Sequence, residues 1–180
     1  SLELVTEYLS PGQAMIDIGA GASRLVDALL DLGFSQLTVL DLSHSALEIS
    51  KQRLGARGEG VDWIEADVTT WQPDREYAVW HDRAVFHFLT ETEGRQAYAN
   101  AMSKSLRPDG IAIIATFADD GPEKCSGLPV VRYTPEELAK ELDRLVPGQF
   151  ERVSSQRHVH ITPKGNRQNF QYSVFSKKGL

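Results

Sequence analysis

Residues 14–24 read AMIDIGAGASR, an apolar run that carries one acid and leads into two closely spaced glycines. The run ending at Ile18 predicts a buried strand, and residues 23–32 repeat apolar side chains at the i, i+3, i+4, i+7 spacing of one helix face. Glycines between a strand and a helix permit a tight turn and let backbone N–H groups approach a ligand closely. The segment therefore predicts a strand, a ligand-binding turn and a helix.

The same alternation of apolar runs and helical stretches continues along the chain. Further strands are predicted over 37–42, 61–67, 77–82 and 111–117, and helices over 45–54, 90–106 and from residue 134 to just before Pro147. Capping patterns mark the helix starts: Ser45 with Glu48, Thr90 with Glu93, and Thr134 before Pro135.

Strands alternating with helices predict an α/β fold, a Rossmann-like doubly wound and mostly parallel sheet. Residues 150–161 and 169–176 follow with only a short turn between them, which predicts a C-terminal antiparallel hairpin. We therefore expect a seven-stranded sheet in a single domain over residues 1–180.

Composition narrows the classes of partner. The chain has 19 Lys and Arg against 25 Asp and Glu, a net charge of −6, which disfavours nucleic acid because polyanion binding draws on a basic surface. The apolar run over 111–117 is far shorter than the ~20 residues that cross a bilayer, so no membrane span is expected. One cysteine, Cys125, and no visible signal peptide favour a reducing, cytoplasmic location.

Three acids end three consecutive predicted strands beside the glycine turn: Asp17, Asp41 and Asp67. Ligands of open parallel sheets bind outside the carboxyl ends of the strands, where a carboxylate can accept both hydroxyls of a ribose. A dinucleotide-binding turn needs G-x-G-x-x-G, but Arg24 stands at the third position and Asp17 would repel a pyrophosphate. An NAD(P)-dependent oxidoreductase is therefore the disfavoured alternative.

This arrangement resembles the class I S-adenosylmethionine-dependent methyltransferases over residues 10–177. Asp17, Gly19 and Gly21 match the acid and G-x-G of their first motif, with Ser23 where the family more often has glycine. Asp41 matches the family's ribose-binding acid. The resemblance implies S-adenosylmethionine as cofactor and S-adenosylhomocysteine as product. The cofactor-binding residues that it implies are Asp17, Gly19, Ala20, Gly21, Ser23, Arg24, Asp41, Leu42, Ser43, Ala66, Asp67, Val68 and His81.

Residues 80–89, WHDRAVFHFL, resemble the Trp-Asp-Arg-Gly segment of thiopurine methyltransferase-like small-molecule enzymes. They lack the Asn/Asp-Pro-Pro-Tyr/Phe pattern of enzymes that methylate nucleic-acid amines or protein glutamine. The resemblance implies that Arg83 orients an anionic acceptor and that Asp82 holds the cofactor side or Arg83 itself; a purely structural Asp82–Arg83 ion pair is the alternative. His87 is a candidate general base, or a packed histidine of an apolar helix face.

Further candidates for acceptor binding follow the fifth strand. Cys125 and Arg132 belong to a long loop over 118–133 that leaves the carboxyl end of that strand, and His160 lies near the hairpin turn. His158 and His160 share one face of a strand, but no further ligand stands nearby in sequence, so no metal is expected.

The expected partner is a small-molecule acceptor with a sulfur, oxygen or carboxylate nucleophile. A protein-lysine or protein-arginine methyltransferase and a non-catalytic cofactor-binding module remain as alternatives, and the oligomeric state is not indicated. Uncharacterised bacterial methyltransferases that share the His-Asp-Arg-Ala and Cys-Ser-Gly-Leu-Pro segments carry additional residues at the amino end. We therefore expect that this chain lacks an N-terminal cap segment.

Overall fold

A computed structural model describes residues 1–179. The helices are α1 (Leu2–Tyr8), α2 (Leu25–Asp31), α3 (His44–Leu54), α4 (Thr92–Ser105) and α5 (Pro135–Leu145). The strands are β1 (Met15–Ile18), β2 (Leu37–Asp41), β3 (Asp62–Glu65), β4 (Tyr77–Arg83), β5 (Leu106–Phe117), β6 (Lys124–Cys125), β7 (Leu128–Pro129), β8 (Phe150–Ile161) and β9 (Arg167–Lys177).

Seven of these strands form one sheet in the order β3-β2-β1-β4-β5-β9-β8. The first five run parallel, whereas β9 pairs antiparallel with both β5 and β8. The predicted mostly parallel sheet with a closing hairpin is therefore confirmed. Because β1 to β4 are parallel, their carboxyl ends meet at one edge of the sheet.

Helices cover both faces of the sheet. Leu25 and Leu29 of α2 and Leu47 of α3 pack with α1 in one apolar layer, while Met102 of α4 and Leu138 of α5 pack in the other. Burial on both faces explains the continuous apolar runs of the central strands. No helix within residues 1–179 is long and apolar enough to cross a membrane.

Two predicted helix starts are wrong, and one is confirmed. Ser43, not Ser45, caps α3 by accepting a hydrogen bond from the Ala46 N–H. The helix α4 begins after Glu91, without a side-chain cap, rather than at Thr90. Thr134 caps α5 in a reciprocal capping box with Glu137. Helix α1 and the small β6–β7 hairpin inside the loop over 118–133 were not predicted from the sequence.

Candidate functional site

Two cavities lie at the carboxyl edge of the parallel strands and meet at Ile18 and Gly19. We call the cavity of about 530 Å³ that is bordered by His81 and Arg83 the Arg83 cavity. We call the cavity of about 710 Å³ that is bordered by Asp41 and Asp67 the Asp41 cavity. Both lie where open α/β sheets bind their ligands.

The turn after β1 brings the backbone close to the segment that follows β4. Gly19 has a φ of +62°, and a Cβ at this position would lie 2.0 Å from Cγ2 of Val85. Only glycine fits this contact and this backbone conformation. Val85 therefore packs directly against the turn that borders both cavities.

Asp41 ties this turn to the next strand. One carboxylate oxygen, Oδ2, accepts a hydrogen bond of 2.6 Å from the N–H of Gly21, and Oδ1 accepts one of 2.7 Å from the N–H of Ser43. A carboxylate oxygen has a second lone pair, so both oxygens can still accept a hydroxyl from a ligand. Gly21 and Ser43 line neither cavity; their backbone N–H groups hold the Asp41 carboxylate in position.

The Asp41 cavity has a largely apolar wall with one further acid. Oδ1 of Asp67 accepts hydrogen bonds from the N–H and the hydroxyl of Thr69, at 2.8 and 2.7 Å. Leu42, Val68, Phe88 and Leu128 line the same cavity. A mostly apolar cavity bordered by carboxylates suits a flat, partly polar ring system.

In the Arg83 cavity, a buried acid and a buried histidine pair across neighbouring strands. Nδ1 of His81 lies 2.7 Å from Oδ1 of Asp17, and the two side chains are 3% and 6% exposed. Nε2 of His81 is buried and has no hydrogen-bond partner within residues 1–179. Ala20, Ser23 and Arg24 complete the adjoining wall.

Arg83 is exposed at the end of β4 and has no carboxylate partner in the described part of the chain. Its Nε donates a hydrogen bond of 3.1 Å to the Tyr172 hydroxyl, and its guanidinium carbon lies 4.8 Å from the centre of the Phe170 ring. Burial lowers the pKa of His160, and the charge of Arg83 lowers it further. Burial raises the pKa of the Cys125 thiol, while the charge of Arg83 opposes that shift. His160 and Cys125 therefore lie within the field of Arg83, although neither lines a cavity.

The expectation that Asp82 holds the cofactor or Arg83 is wrong in this structure. Its carboxylate is fully buried on the opposite face of the sheet from His81, where it accepts hydrogen bonds from the Val85 N–H, the Phe86 N–H and the Tyr98 hydroxyl. Burial raises the pKa of Asp82 to about 6. Asp82 therefore fixes the turn after β4 and lines neither cavity.

Two other candidates also lie away from the cavities. His87 is fully buried, its Nδ1 accepts a hydrogen bond from the Phe117 N–H, and burial lowers its pKa to about 4. Of the two alternatives for His87, this environment fits the packed histidine and not the candidate general base. Arg132 donates to the Gly121 carbonyl and pairs with Glu123, so it stabilises its own loop instead of clamping an acceptor in either cavity.

Several wall residues were not predicted from the sequence. The Arg83 cavity is also lined by Leu2, His158 and Tyr172, and the Asp41 cavity by Val85 and Thr69. The strand face shared by His158 and His160 was a signal for His158. Leu2 and Tyr172 come from the two ends of the chain and carry no local pattern.

The chain is similar in sequence to known proteins. Residues 15–110 match the family model described as methyltransferase domain. Thiocyanate methyltransferase 1 of Arabidopsis thaliana is 31% identical over 126 residues, which are 69% of this chain and 52% of that protein. The eEF1A lysine and N-terminal methyltransferase of Mus musculus is 28% identical over 93 residues, 51% of this chain and 13% of that protein.

A solved structure shares the fold. The 1,6-didemethyltoxoflavin-N1-methyltransferase of Burkholderia thailandensis, solved with 1,6-didemethyltoxoflavin and S-adenosylhomocysteine, aligns with a TM-score of 0.76 at 23% identity. The alignment covers 99% of this chain and 76% of that one. The chain spans about half or less of the two curated relatives, 52% and 13% of their lengths.

Proposed function

The chain belongs to the methyltransferase domain family, and from this premise we propose that it transfers a methyl group from S-adenosylmethionine to a small-molecule nucleophile. When bound, the cofactor supplies an electrophilic methyl group on a positively charged sulfur. The observation that carries the proposal is that both cavities share Ile18 and Gly19, with Asp41 in one cavity and, in the other, the guanidinium of Arg83, which has no carboxylate partner within residues 1–179.

The residues of the Asp41 cavity fit the nucleoside half of this cofactor. The Asp41 carboxylate is held by two backbone N–H groups and keeps lone pairs for the ribose hydroxyls. Asp67 is the acid for the adenine amino group, and Leu42, Ala66 and Val68 supply the apolar wall for the ring. Ile18 and Gly19 line both cavities, so a cofactor that occupies the two would lie across this turn.

The Arg83 cavity takes the amino-acid end of the cofactor and the acceptor. Arg24 borders it without a carboxylate partner in residues 1–179 and is the cation for the cofactor carboxylate. Arg83 binds an anionic or strongly polarised group on the acceptor. Holding nucleophile and methyl group in line can supply about 7–11 kcal/mol of the barrier reduction, so this chemistry depends mainly on positioning.

The acceptor belongs to the small-molecule class, in line with the thiopurine methyltransferase-like segment around Arg83. The name of one relative, thiocyanate methyltransferase 1, specifies a small anion as its substrate, which supports a cationic acceptor site. The name of another, eEF1A lysine and N-terminal methyltransferase, supports a protein acceptor as the second candidate. A protonated lysine would be repelled by Arg83, and this repulsion favours the small-molecule proposal.

Binding of S-adenosylhomocysteine and of NAD⁺, measured side by side by isothermal titration calorimetry, tests the cofactor. We expect saturable binding of the first alone; binding of NAD⁺ alone would overturn the proposal. Transfer of labelled methyl groups from S-adenosylmethionine to a set of small thiols and carboxylic acids, with lysine peptides in parallel, then tests the acceptor class. Labelling of the peptides alone would establish the protein methyltransferase instead.

A further inference from the structure

The buried pair in the Arg83 cavity has the geometry of an acid that orients a base. Asp17 and His81 are neighbours in the register of β1 and β4, and Oδ1 and Nδ1 lie 2.7 Å apart. Both side chains are almost fully buried. The sheet itself therefore fixes the position of the imidazole ring.

The partner of Nδ1 determines which nitrogen carries the proton. An ionised carboxylate only accepts hydrogen bonds, so Nδ1 must donate, and in a neutral ring Nε2 then has a free lone pair. No group within residues 1–179 donates to that lone pair, although Nε2 is buried and His81 borders the cavity. A buried polar atom without a partner calls for an explanation, and a catalytic role is one of them. Four such atoms occur within residues 1–179, and only that of His81 belongs to a residue that borders either cavity.

Apart from Asp17, none of the charged and titratable groups that line the Arg83 cavity within residues 1–179 is a carboxylate. They are the Ser1 amino group next to α1, Arg24 before α2, Arg83 on β4 itself, His158 on β8 and Tyr172 on β9. The strand β5, which pairs with β4 at His81, places apolar Ile113 opposite it. Asp82, the neighbour of His81 on β4, points to the other face and bonds the turn after that strand. Asp17 is thus the one carboxylate that borders the cavity within the described chain.

We propose that His81 is the general base of the reaction and that Asp17 is its positioning residue. This inference rests on the proposed function and narrows its acceptor class. In the step, the X–H bond of the acceptor breaks and its proton moves to Nε2, while X forms a bond to the methyl carbon. The carbon–sulfur bond breaks and its electron pair stays on sulfur, which gives S-adenosylhomocysteine; the imidazolium then releases its proton to water.

The proposal specifies a nucleophile that arrives protonated, such as a thiol, hydroxyl or amine. A carboxylate nucleophile has no proton to give and would leave Nε2 without a donor. Arg83 then binds a separate anionic group of the acceptor or polarises its ring. The ammonium group of the bound cofactor is the other possible donor to Nε2, and the experiment must distinguish the two.

Nitrogen NMR of protein labelled at histidine tests the assignment without any acceptor. His81→Asn identifies the His81 signals, and the other four histidines of the chain serve as internal controls. We expect a neutral ring with the proton on Nδ1 and an Nε2 signal that is unchanged when S-adenosylhomocysteine binds. A proton on Nε2, or a shift of Nε2 to a hydrogen-bonded position on addition of S-adenosylhomocysteine, would overturn the proposal.

Kinetics of His81→Asn supply the second test, because the asparagine amide can still donate to Asp17 while it offers no base. The probes are aromatic thiols of graded acidity. We expect a loss of about 100-fold or more in kcat for thiols that are protonated at the assay pH, since general bases contribute roughly 10²–10⁴-fold. Thiols that are already ionised should lose less than about 3-fold, and raising the pH should restore the others.

Three outcomes separate the possibilities. An equal loss for all thiols at every pH would identify His81 as merely structural, and a loss of S-adenosylhomocysteine affinity would assign it to the cofactor. Either result overturns the general base while the proposed function stands. If the wild-type protein binds S-adenosylhomocysteine but methylates none of the thiols, the small-thiol acceptor fails and the NMR result still decides the role of His81.

Discussion

The Asp41 carboxylate accepts a hydrogen bond of 2.6 Å from the backbone N–H of Gly21, which joins the end of β2 to the turn after β1. Its other oxygen accepts the N–H of Ser43 at the start of α3. One side chain therefore holds two loops and faces a cavity at the same time. The ligand-binding role and the organising role of Asp41 cannot be separated by deleting the side chain alone.

For this reason, Asp41 calls for two substitutions. Asp41→Ala removes both functions, and we expect S-adenosylhomocysteine affinity to fall by about 100-fold, because hydrogen bonds to charged groups are worth about 1.5–3 kcal/mol each. Asp41→Asn keeps one oxygen acceptor and should lose less, about 10-fold. Isothermal titration calorimetry measures both; unchanged affinity in the alanine variant would remove Asp41 from the site.

Gly19 offers a test of the close approach between the turn and Val85. Gly19→Ala should destabilise the fold by about 2–4 kcal/mol, since it adds a steric clash to a left-handed backbone conformation. Gly12→Ala is the matched control, with a φ of +81° but no atom within 4 Å of the new Cβ. The control substitution should lower the free energy of unfolding by only about 1–2 kcal/mol. Urea unfolding measures both variants.

Adding Val85→Ala to Gly19→Ala isolates the clash from the backbone strain. The double variant should regain part of the loss, since the Cγ2 atom that lies 2.0 Å from the new Cβ is gone. Strictly additive losses in the two single variants would show that the Val85 contact is not what makes glycine necessary at this position.

Some of the site followed from sequence because it depends on local spacing. The strand, glycine turn and acid pattern located Asp17, Gly19 and Asp41, whose positions are set by where parallel strands end. The side-chain directions along β4 follow from the alternation of successive residues between the two faces of a sheet. His81 and Arg83 face one side, so Asp82 between them faces the other. This alternation, which can be read from the sequence, already excludes a pairing of Asp82 with Arg83.

Other parts depend on long-range packing. Tyr172 meets Arg83 because β9 inserts antiparallel beside β5, and the two residues are separated by 89 positions in sequence. Ser45 failed as a marker because Ser43, two residues earlier, is the same residue type and caps α3 instead. Thr90 failed because no side chain caps the start of α4. Ser43 also donates its N–H to Asp41.

Arg83 should affect turnover more than cofactor binding. Arg83→Met keeps an apolar side chain but removes the guanidinium that lies over Phe170. We expect kcat to fall by about 10-fold or more and S-adenosylhomocysteine affinity to stay within about 3-fold. Arg107→Met, an exposed position at the opposite end of β5, is the control for loss of a surface charge. Normal turnover in the Arg83 variant would refute its acceptor role.

Asp82 and His87, which are buried and line neither cavity, affect the free energy of unfolding in opposite directions as the pH changes. The pKa of Asp82 is raised from 3.8 to about 6, so its contribution is fully present below pH 4 and is lost as the pH rises through 6. The pKa of His87 is lowered from 6.5 to about 4, so its contribution is fully present above pH 6.5 and is lost as the pH falls through 4. Each shift is worth about 3 kcal/mol.

Because the two windows overlap, these contributions nearly cancel in the wild-type protein between about pH 4 and 6. In the Asp82→Asn variant only the His87 contribution remains. On acidification across that window, the free energy of unfolding of this variant should fall by up to about 3 kcal/mol relative to wild type. His87→Asn keeps an acceptor for the Phe117 N–H and should give the opposite slope. Urea unfolding at a series of pH values gives the free energy of unfolding of all three proteins. The contributions of the surface carboxylates that the three proteins share cancel when these free energies are subtracted. Parallel curves for wild type and both variants would mean that neither group titrates differently in the folded and unfolded states.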